Sequence, residues 1–157
     1  MSAGRVTRNS GLTLIELLVT MAVAIILATI AVPSYFELRQ QQQLSASTND
    51  VLSMVLAARR EAVSKRLDGV EVTLGADKGW PISIVRDGSA IYERAASHPS
   101  IEIALASGGE LIFNRFGRTG GEVSICISRA GDVHREISIL LSGQVRNLRD
   151  ELENCDD

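Results

Sequence analysis

The sequence lacks the short motifs that usually mark an enzyme. It contains no Gly-x-Ser-x-Gly turn, no glycine-rich phosphate-binding loop, no His-Glu-x-x-His and no cysteine–histidine cluster with metal spacing. Its two histidines, His98 before Pro99 and His134 at the start of a candidate strand, are expected on the surface. We therefore predict that the chain is not an enzyme and uses no cofactor or metal.

The sequence also lacks an excess of basic residues. Its 16 lysines and arginines stand against 19 aspartates and glutamates, which gives a formal net charge of −3. A mildly acidic chain is not expected to bind nucleic acid through its overall charge, although this leaves room for a local basic patch. No internal repeat or low-complexity segment is present.

What the sequence does contain is one long apolar run near its N-terminus. Between residues 12 and 32 the only polar side chains are those of Thr13, Glu16, Thr20 and Thr29. A helix of about 20 residues rises about 30 Å, which is the thickness of the hydrocarbon core of a bilayer. A carboxylate inside such a span costs about 2.5–3.5 kcal/mol on insertion scales, so Glu16 should have a partner.

The residues that flank the apolar run predict its orientation in a membrane, and its length and sequence distinguish it from other kinds of apolar segment. Arg5 and Arg8 precede it with no acidic residue nearby, which favours a cytoplasmic N-terminus and an exported C-terminal part. A secretory signal peptide has a shorter apolar core of about 7–15 residues with the cleavage site after it. An ordinary single-pass anchor would explain the length of the run, but it gives no reason for Gly11 or Glu16.

The N-terminal order of residues resembles the type IV prepilin signature: a basic leader, Gly, a hydrophobic residue, Thr-Leu-Ile-Glu-Leu and an apolar helix. In that family a prepilin peptidase cleaves after the glycine and methylates the new amine, and the fifth residue, a glutamate, promotes assembly into a helical filament. The resemblance implies cleavage between Gly11 and Leu12 and an assembly role for Glu16. Leu12 replaces the usual phenylalanine, and Pro33 falls where many pilins have a helix-kinking proline.

Periodicity predicts the architecture of the rest of the chain. A 3.6-residue period continues after Pro33 to about Leu67, Gly69 is suited to ending the helix, and from Val70 onward the period is two. We predict three segments: a cleaved leader (1–11), a long helix (12–67, with 12–32 spanning the membrane) and a β domain with an acidic tail (68–157). The fold class is α+β and pilin-like, with the helix packed on a C-terminal antiparallel β domain.

Turn signals separate the candidate strands, and Asp87-Gly88 between isoleucines is the clearest hairpin. The predicted strands are 70–75, 81–86, 90–94, 101–106, 110–116, 122–128, 135–141 and 144–148.

Five short motifs, in this order and spacing, resemble the GspH/FimT branch of minor pilins and pseudopilins. They are Arg59-Arg60-Glu61-Ala62, Gly79-Trp80-Pro81-Ile82, Phe113 to Gly117, Arg135 to Ile139, and Gly143-Gln144-Val145-Arg146. The resemblance implies a minor pilin of a type IV pilus that helps to prime assembly near the filament tip. A type II secretion pseudopilin with the same fold is the alternative that the sequence leaves open.

The same resemblance implies the partners and the location of the protein. Its partners would be the prepilin peptidase, other minor and major pilins (or pseudopilins) and the inner membrane. The anchored protein would place its C-terminal domain in the periplasm before entering a pilus or pseudopilus filament.

A second alternative is a DNA receptor for natural transformation, because members of this branch linked to DNA uptake use a Gly-Arg-x-Arg element. Here Gln144 replaces the first arginine, so only Arg146 maps onto the motif, with Arg149 close by and Arg135 on the preceding candidate strand. The acidic C-terminal tail opposes a polyanion. We expect any DNA binding to be weak.

Cys126 and Cys155 are the only cysteines. Two cysteines in an exported domain favour one disulfide over two free thiols, and related proteins join a similar strand to the C-terminus. On the chain-entropy model such a bridge would contribute about 3–4 kcal/mol.

Overall fold

The structure, a computed structural model, describes residues 13–107, 109–129, 133–148 and 155. Within them the chain forms one helix, α1, followed by eight strands. The boundary between two compact units falls after Arg39, so the second half of α1 belongs to the same unit as the strands.

Helix α1 extends over Leu14–Lys65 and continues through Pro33 and through the polar stretch that begins at Gln40. Its end differs from the expectation that Gly69 terminates it. Arg66 has a left-handed conformation (φ 53°), its amide donates to the Val63 carbonyl, and the Leu67 amide donates to the Ala62 carbonyl. These two bonds form a Schellman motif, which offsets the steric cost of a non-glycine residue at this position.

The strands form two antiparallel sheets of four strands each, ordered β3-β2-β1-β5 and β4-β6-β7-β8. Their bounds are β1 Val70–Gly75, β2 Gly79–Arg86, β3 Ser89–Arg94, β4 Ile101–Ser107, β5 Leu111–Phe113, β6 Val123–Arg129, β7 Val133–Ile139 and β8 Val145–Leu148. The predicted α+β fold, a long helix packed on antiparallel strands, is confirmed.

Strand β5 is shorter than the predicted strand 110–116, because the residues that follow Phe113 form a tight turn. The Oδ1 atom of Asn114 accepts the amides of Phe116 and Arg118 at 2.9 and 3.1 Å. The Gly117 amide donates to the Asn114 carbonyl at 2.8 Å. An asparagine that binds the backbone ahead of it competes with strand pairing, which explains why the ladder stops here.

The hydrophobic core lies between the second half of α1 and both sheets. One face of the helix, recurring every three or four residues, is fully buried against alternate residues of the strands. Burial of a Val, Leu, Ile or Phe side chain stabilises the folded state by about 1.5–3 kcal/mol. The fully buried members include Leu44, Val51, Val55, Ala58 and Ala62 of α1 and Ile82, Ile84, Ile101, Leu111, Phe113, Ile125, Ile127, Ile137 and Ile139 of the strands.

Two contacts join the sheets at one edge. The Ile103 amide on β4 donates to the Lys78 carbonyl just before β2, at 2.9 Å. Trp80 is buried, and its indole Nε1 donates to the Ile101 carbonyl at 3.2 Å. Trp80 therefore belongs to the core rather than to a binding surface.

Arg59 on α1 donates hydrogen bonds to one turn of each sheet. Its Nε donates to the Gly117 carbonyl at 3.0 Å, in the turn after β5, and its Nη2 lies 3.5 Å from the Ser142 carbonyl, in the turn between β7 and β8. The two turns approach so closely that a Cβ added to Gly143 would lie 1.8 Å from the Gly117 oxygen. Glycine at 143 is therefore a packing requirement.

Asp68 fixes the same turn from the other side. It accepts the Arg115 amide at 2.9 Å and Arg115 Nε at 2.8 Å, and Arg115 Nη2 also binds it. The side-chain and backbone hydrogen bonds from Arg115 hold the pKa of Asp68 below its ordinary value. The pair is about half exposed, so its contribution to stability is modest.

We predict that Gly143→Ala destabilises the protein more than Gly88→Ala. Both glycines have φ near 73°, but nothing lies within 4 Å of a Cβ at Gly88. Gly88→Ala should lower the free energy of unfolding by about 1–2 kcal/mol, because alanine is strained in a left-handed conformation. Gly143→Ala should lower it by about 1–3 kcal/mol more, because the Gly117 backbone must also move. Denaturant unfolding of both purified full-length variants measures the difference. Equal losses would contradict the close approach of the two turns.

We also predict that Asp68→Asn changes the acid side of the stability curve. A carboxyl whose pKa is depressed in the folded state stabilises the protein above its unfolded pKa, about 3.9, and loses that effect as pH falls through the folded value. The stability difference between wild type and Asp68→Asn should be present at pH 6 and should shrink below about pH 4. Asp87→Asn is the matched control, because the Asp87 side chain is 91% exposed. A difference independent of pH would argue against the Asp68–Arg115 pair.

Candidate functional site

The first half of α1 exposes a continuous apolar surface. An 18-residue window of this helix has a mean hydropathy of 2.6, and none of it is buried, so it is long and apolar enough to cross a membrane. Two threonines in this half of the helix form hydrogen bonds within it: the hydroxyls of Thr20 and Thr29 donate to the Leu17 and Ile26 carbonyls at 2.9 and 2.7 Å. Internal hydrogen bonding of this kind is what a low-dielectric environment demands.

Glu16 lies in the first turn of α1, where the residues before it form a cap. The Glu16 amide donates to Thr13 Oγ1 at 3.3 Å, and the Leu17 amide donates to the Thr13 carbonyl at 3.2 Å. Thr13 and Glu16 have the spacing of a capping box, and the partial positive charge at a helix N-terminus favours a carboxylate. Glu16 is exposed, and among the residues that the structure describes no cation pairs with it, so its carboxylate is accessible to a partner.

The predicted cleavage site, Gly11 and Leu12, lies outside the described residues. The geometry that the structure does give is that of the helix immediately after it, which begins at Leu14. In the sequence, Leu12 precedes Glu16 by four residues.

Cys126 and Cys155 form a disulfide with a Cα–Cα distance of 5.7 Å. Cys126 is buried on β6, and the bridge fastens residue 155 to that strand across a separation of 29 residues. The bridge secures the C-terminal end of the chain to the sheet β4-β6-β7-β8.

The structure does not bring the candidate DNA-binding arginines to one surface. Arg135 on β7 directs its Nη2 to Ser45 of α1 at 3.0 Å, so it faces the helix. Arg146 on β8 is exposed and pairs in register with Ser138, which lies three residues from Arg135 and therefore on the opposite face of β7. Arg149 lies outside the described residues.

Sequence motifs that are far apart in the chain meet around Arg59. Its two hydrogen bonds reach the turns that contain Gly117 and Gly143, which come from the Phe113-to-Gly117 and Gly143-to-Arg146 motifs. The neighbouring Glu61 binds Lys65 and Arg86 at 2.6 and 2.9 Å. The structure therefore gives these motif residues an architectural role that their order in the sequence did not reveal.

Of the two histidines, the structure describes the side chain of His98 only. His98 is partly buried, and its Nδ1 lies 2.7 Å from Ser100 Oγ, while the side chain of His134 is outside the described part. Within the described ranges no group of three or more His, Cys, Asp or Glu side chains could hold a metal ion.

Comparison with known proteins gives one family match and two structural matches. Residues 6–32 match the family model described as the prokaryotic N-terminal methylation motif. The fold is similar to two crystal forms of the type IV minor pilin FimU from Pseudomonas aeruginosa. In the first form the TM-score is 0.60 at 22% identity, covering 69% of this chain and 90% of that one. In the second it is 0.56 at 23% identity, covering 66% and 90%.

No curated protein matches the sequence. The family match confirms the predicted N-terminal motif, and the structural matches show that the chain has a type IV pilin-like fold. The match to the motif ends at residue 32, so it covers the apolar segment and not the β domain.

Proposed function

We propose that this protein is a minor pilin of a type IV pilus, processed by a prepilin peptidase between Gly11 and Leu12. The observation that carries the proposal is the combination of a methylation motif at residues 6–32 with a wholly exposed apolar helix and a pilin-like domain in one chain. A soluble domain would not maintain such an exposed apolar helix, because a membrane or neighbouring subunits must cover it.

Cleavage would change both the charge and the N-terminus of the protein. Residues 1–11 carry two of the 16 basic residues and no acidic one, so their removal lowers the formal net charge from −3 to −5. It also removes Arg5 and Arg8, which favour retention of the N-terminus on the cytoplasmic side. The product would begin at Leu12, with the Thr13 cap and Glu16 in its first turn.

Glu16 would then drive assembly. A carboxylate in an apolar helix is unfavourable in lipid, and a cationic amine supplied by a neighbouring subunit would offset that cost. Residues 12–32 would pass from the membrane into the filament, where other apolar helices replace lipid. Residues 68–157, with the second half of the helix up to residue 67, would form the periplasmic domain, and the partners would be other minor and major pilins.

A type II secretion pseudopilin would share every one of these features. The genes that neighbour the one encoding this chain separate the two assignments, because pilus and secretion operons differ in content.

We predict that Glu16→Val is inserted and processed normally but enters filaments poorly. The substitution leaves the Thr13 cap and the helix intact while removing the charge that would recruit a neighbour. Intact mass of the membrane form should show loss of residues 1–11, and immunoblotting of sheared filaments should show about tenfold less variant than wild type, a loss expected for about 1.4 kcal/mol. Gly11→Glu is the control, since it should block processing itself. Normal amounts of Glu16→Val in filaments, or an uncut wild-type chain, would refute the proposal.

We further predict that the full-length protein binds duplex DNA weakly and that only Arg146 contributes among the described candidates. The logarithm of affinity falls with the logarithm of salt by about 0.9 per neutralised phosphate, so one or two contacts give a slope of about −1 to −2. Gln144→Arg should strengthen binding. Arg146→Ala should weaken it, whereas Arg135→Ala should not, because Arg135 faces Ser45. Fluorescence anisotropy in detergent at several salt concentrations measures this. Tight binding at 150 mM salt would favour a DNA receptor instead.

A further inference from the structure

The turn after β5 displays an aromatic side chain to solvent. Phe116 is 74% exposed, which is unusual for a side chain that normally supplies core packing. The neighbouring Phe113, three residues earlier, is fully buried. Phe113 at the end of β5 thus packs in the core, whereas Phe116 in the turn that follows lies on the surface.

The exposed position of Phe116 does not arise from a loose loop. Asn114 binds the amides on both sides of Gly117, Asp68 binds Arg115, and Arg59 binds the Gly117 carbonyl. These bonds fix the residue before Phe116 and the residue after it. An aromatic side chain held on a rigid turn loses little conformational entropy when a partner covers it, and this is a property of residues that anchor interfaces.

Phe116 forms one wall of an open groove of about 460 Å³ against the last turns of α1. The groove is lined by Arg59, Arg60, Val63, Ser64 and Phe116. Val63 is 45% exposed and faces the same space. Val63 and Phe116 thus give the groove an apolar part, and four of its five lining residues belong to the helix.

A second groove, of about 430 Å³, is lined in part by residues of the same turn. Its lining residues are Asn114, Arg118, Thr119, Leu141 and Ser142. Leu141 is 59% exposed. We define the Phe116 surface as the exposed side chains of the two grooves: Arg60, Val63, Phe116, Arg118 and Leu141.

The Phe116 surface is cationic on a protein that is acidic overall. Arg60 and Arg118 are exposed, and in the described ranges neither forms an ion pair. The acid nearest to Arg60 in sequence, Glu61, binds Lys65 and Arg86. The acid nearest to Arg118, Glu122, accepts a hydrogen bond from Ser138 at 3.0 Å. Two unpaired arginines beside exposed apolar side chains complement an apolar segment that carries carboxylates.

We propose that the Phe116 surface docks an apolar, carboxylate-bearing segment of a different pilin-type subunit. The identity of the partner rests on the proposed function, because filament subunits are the proteins this chain would meet. An acidic peptide fits better than nucleic acid, since the negative net charge of the chain, −3 before and −5 after removal of residues 1–11, opposes a polyanion, while two arginines satisfy one or two carboxylates. Phe116 is the anchor, and Arg60 and Arg118 orient the partner.

Site-specific photocross-linking in the native host tests the proposal. Phe116→p-benzoylphenylalanine in the full-length chain should cross-link to another subunit that has an N-terminal methylation motif, at a peptide containing apolar and acidic residues. Tyr92→p-benzoylphenylalanine is the matched control, because Tyr92 is an aromatic residue of β3 that is 60% exposed. It should give about tenfold less of the same product, since it lies outside the anchor region. Mass spectrometry identifies the cross-linked peptide.

Charge and anchor variants separate docking from folding. Arg60→Glu combined with Arg118→Glu should lower the yield of the cross-link about tenfold or more, while Arg60→Lys should retain most of it. Phe116→Ala should leave the unfolding temperature of the full-length protein unchanged, because the side chain is mostly exposed, yet reduce co-purification of the partner about 30-fold.

The proposal is overturned if residue 116 cross-links only to lipid, to nucleic acid, to a second copy of this chain or to nothing. It is also overturned if residues 116 and 92 give equal yields of the same product, or if the double arginine variant changes nothing. Failure of the proposed function has a different signature. If the wild-type chain never enters sheared filaments but residue 116 still cross-links to a pilin-type subunit in the membrane, the minor-pilin assignment fails and the docking surface stands.

Discussion

The hydrogen bond from Arg59 to the Gly117 carbonyl is the constraint on which the domain's arrangement depends. A helix packed on two sheets needs something to fix its end relative to each sheet, because apolar contacts alone are not directional. Arg59 reaches one turn from each sheet, and Gly143 permits those turns to touch. A lysine could not replace this function, since only a guanidinium offers several donors in a fixed planar fork. Asp68 completes the arrangement from the far side of the same turn.

The two halves of α1 differ in how much of their surface is buried. From residue 44 onward it buries one face in the core of the β domain, whereas its first half buries nothing and exposes large apolar side chains. An exposed apolar surface of this extent is typical of a segment that contacts a membrane or another protein. The hydroxyls of Thr20 and Thr29 donate to carbonyls within the helix, whereas no described cation pairs with the exposed Glu16.

The charged residues of the domain fall into two groups: those in ion pairs that join its elements, and exposed arginines that are free to bind a partner. Glu61, Asp50 and Asp68 each hold an arginine and thereby fasten a strand or turn to the helix or to the loop that follows it. Arg135 is similarly directed at Ser45. Arg60, Arg118 and Arg146 remain exposed, and among the described residues none of the three forms an ion pair. Binding through this domain should therefore be local and specific rather than driven by a broad electrostatic field.

The sequence by itself determined whatever depends on local order. The prepilin-type motif, the apolar run, the switch from a 3.6-residue period to a two-residue period, and most strand bounds follow from neighbouring residues. Periodicity and turn chemistry are local properties, so the Asp87-Gly88 hairpin and β1, β2 and β3 could be placed from the sequence. Strand 110–116 was too long in the prediction, because the competing hydrogen bonds of Asn114 were not recognised from the sequence.

Only the tertiary structure decided how distant residues meet. The division of the strands into two sheets, the turn contact between Gly117 and Gly143, and the opposite faces of Arg135 and Arg146 all depend on pairing across many residues. A two-residue period says that side chains alternate, but it does not say which face of a strand meets the helix. Phe116 shows the same limit. Its type predicts burial, and only the turn that Asn114, Asp68 and Arg59 fix around it places it on the surface.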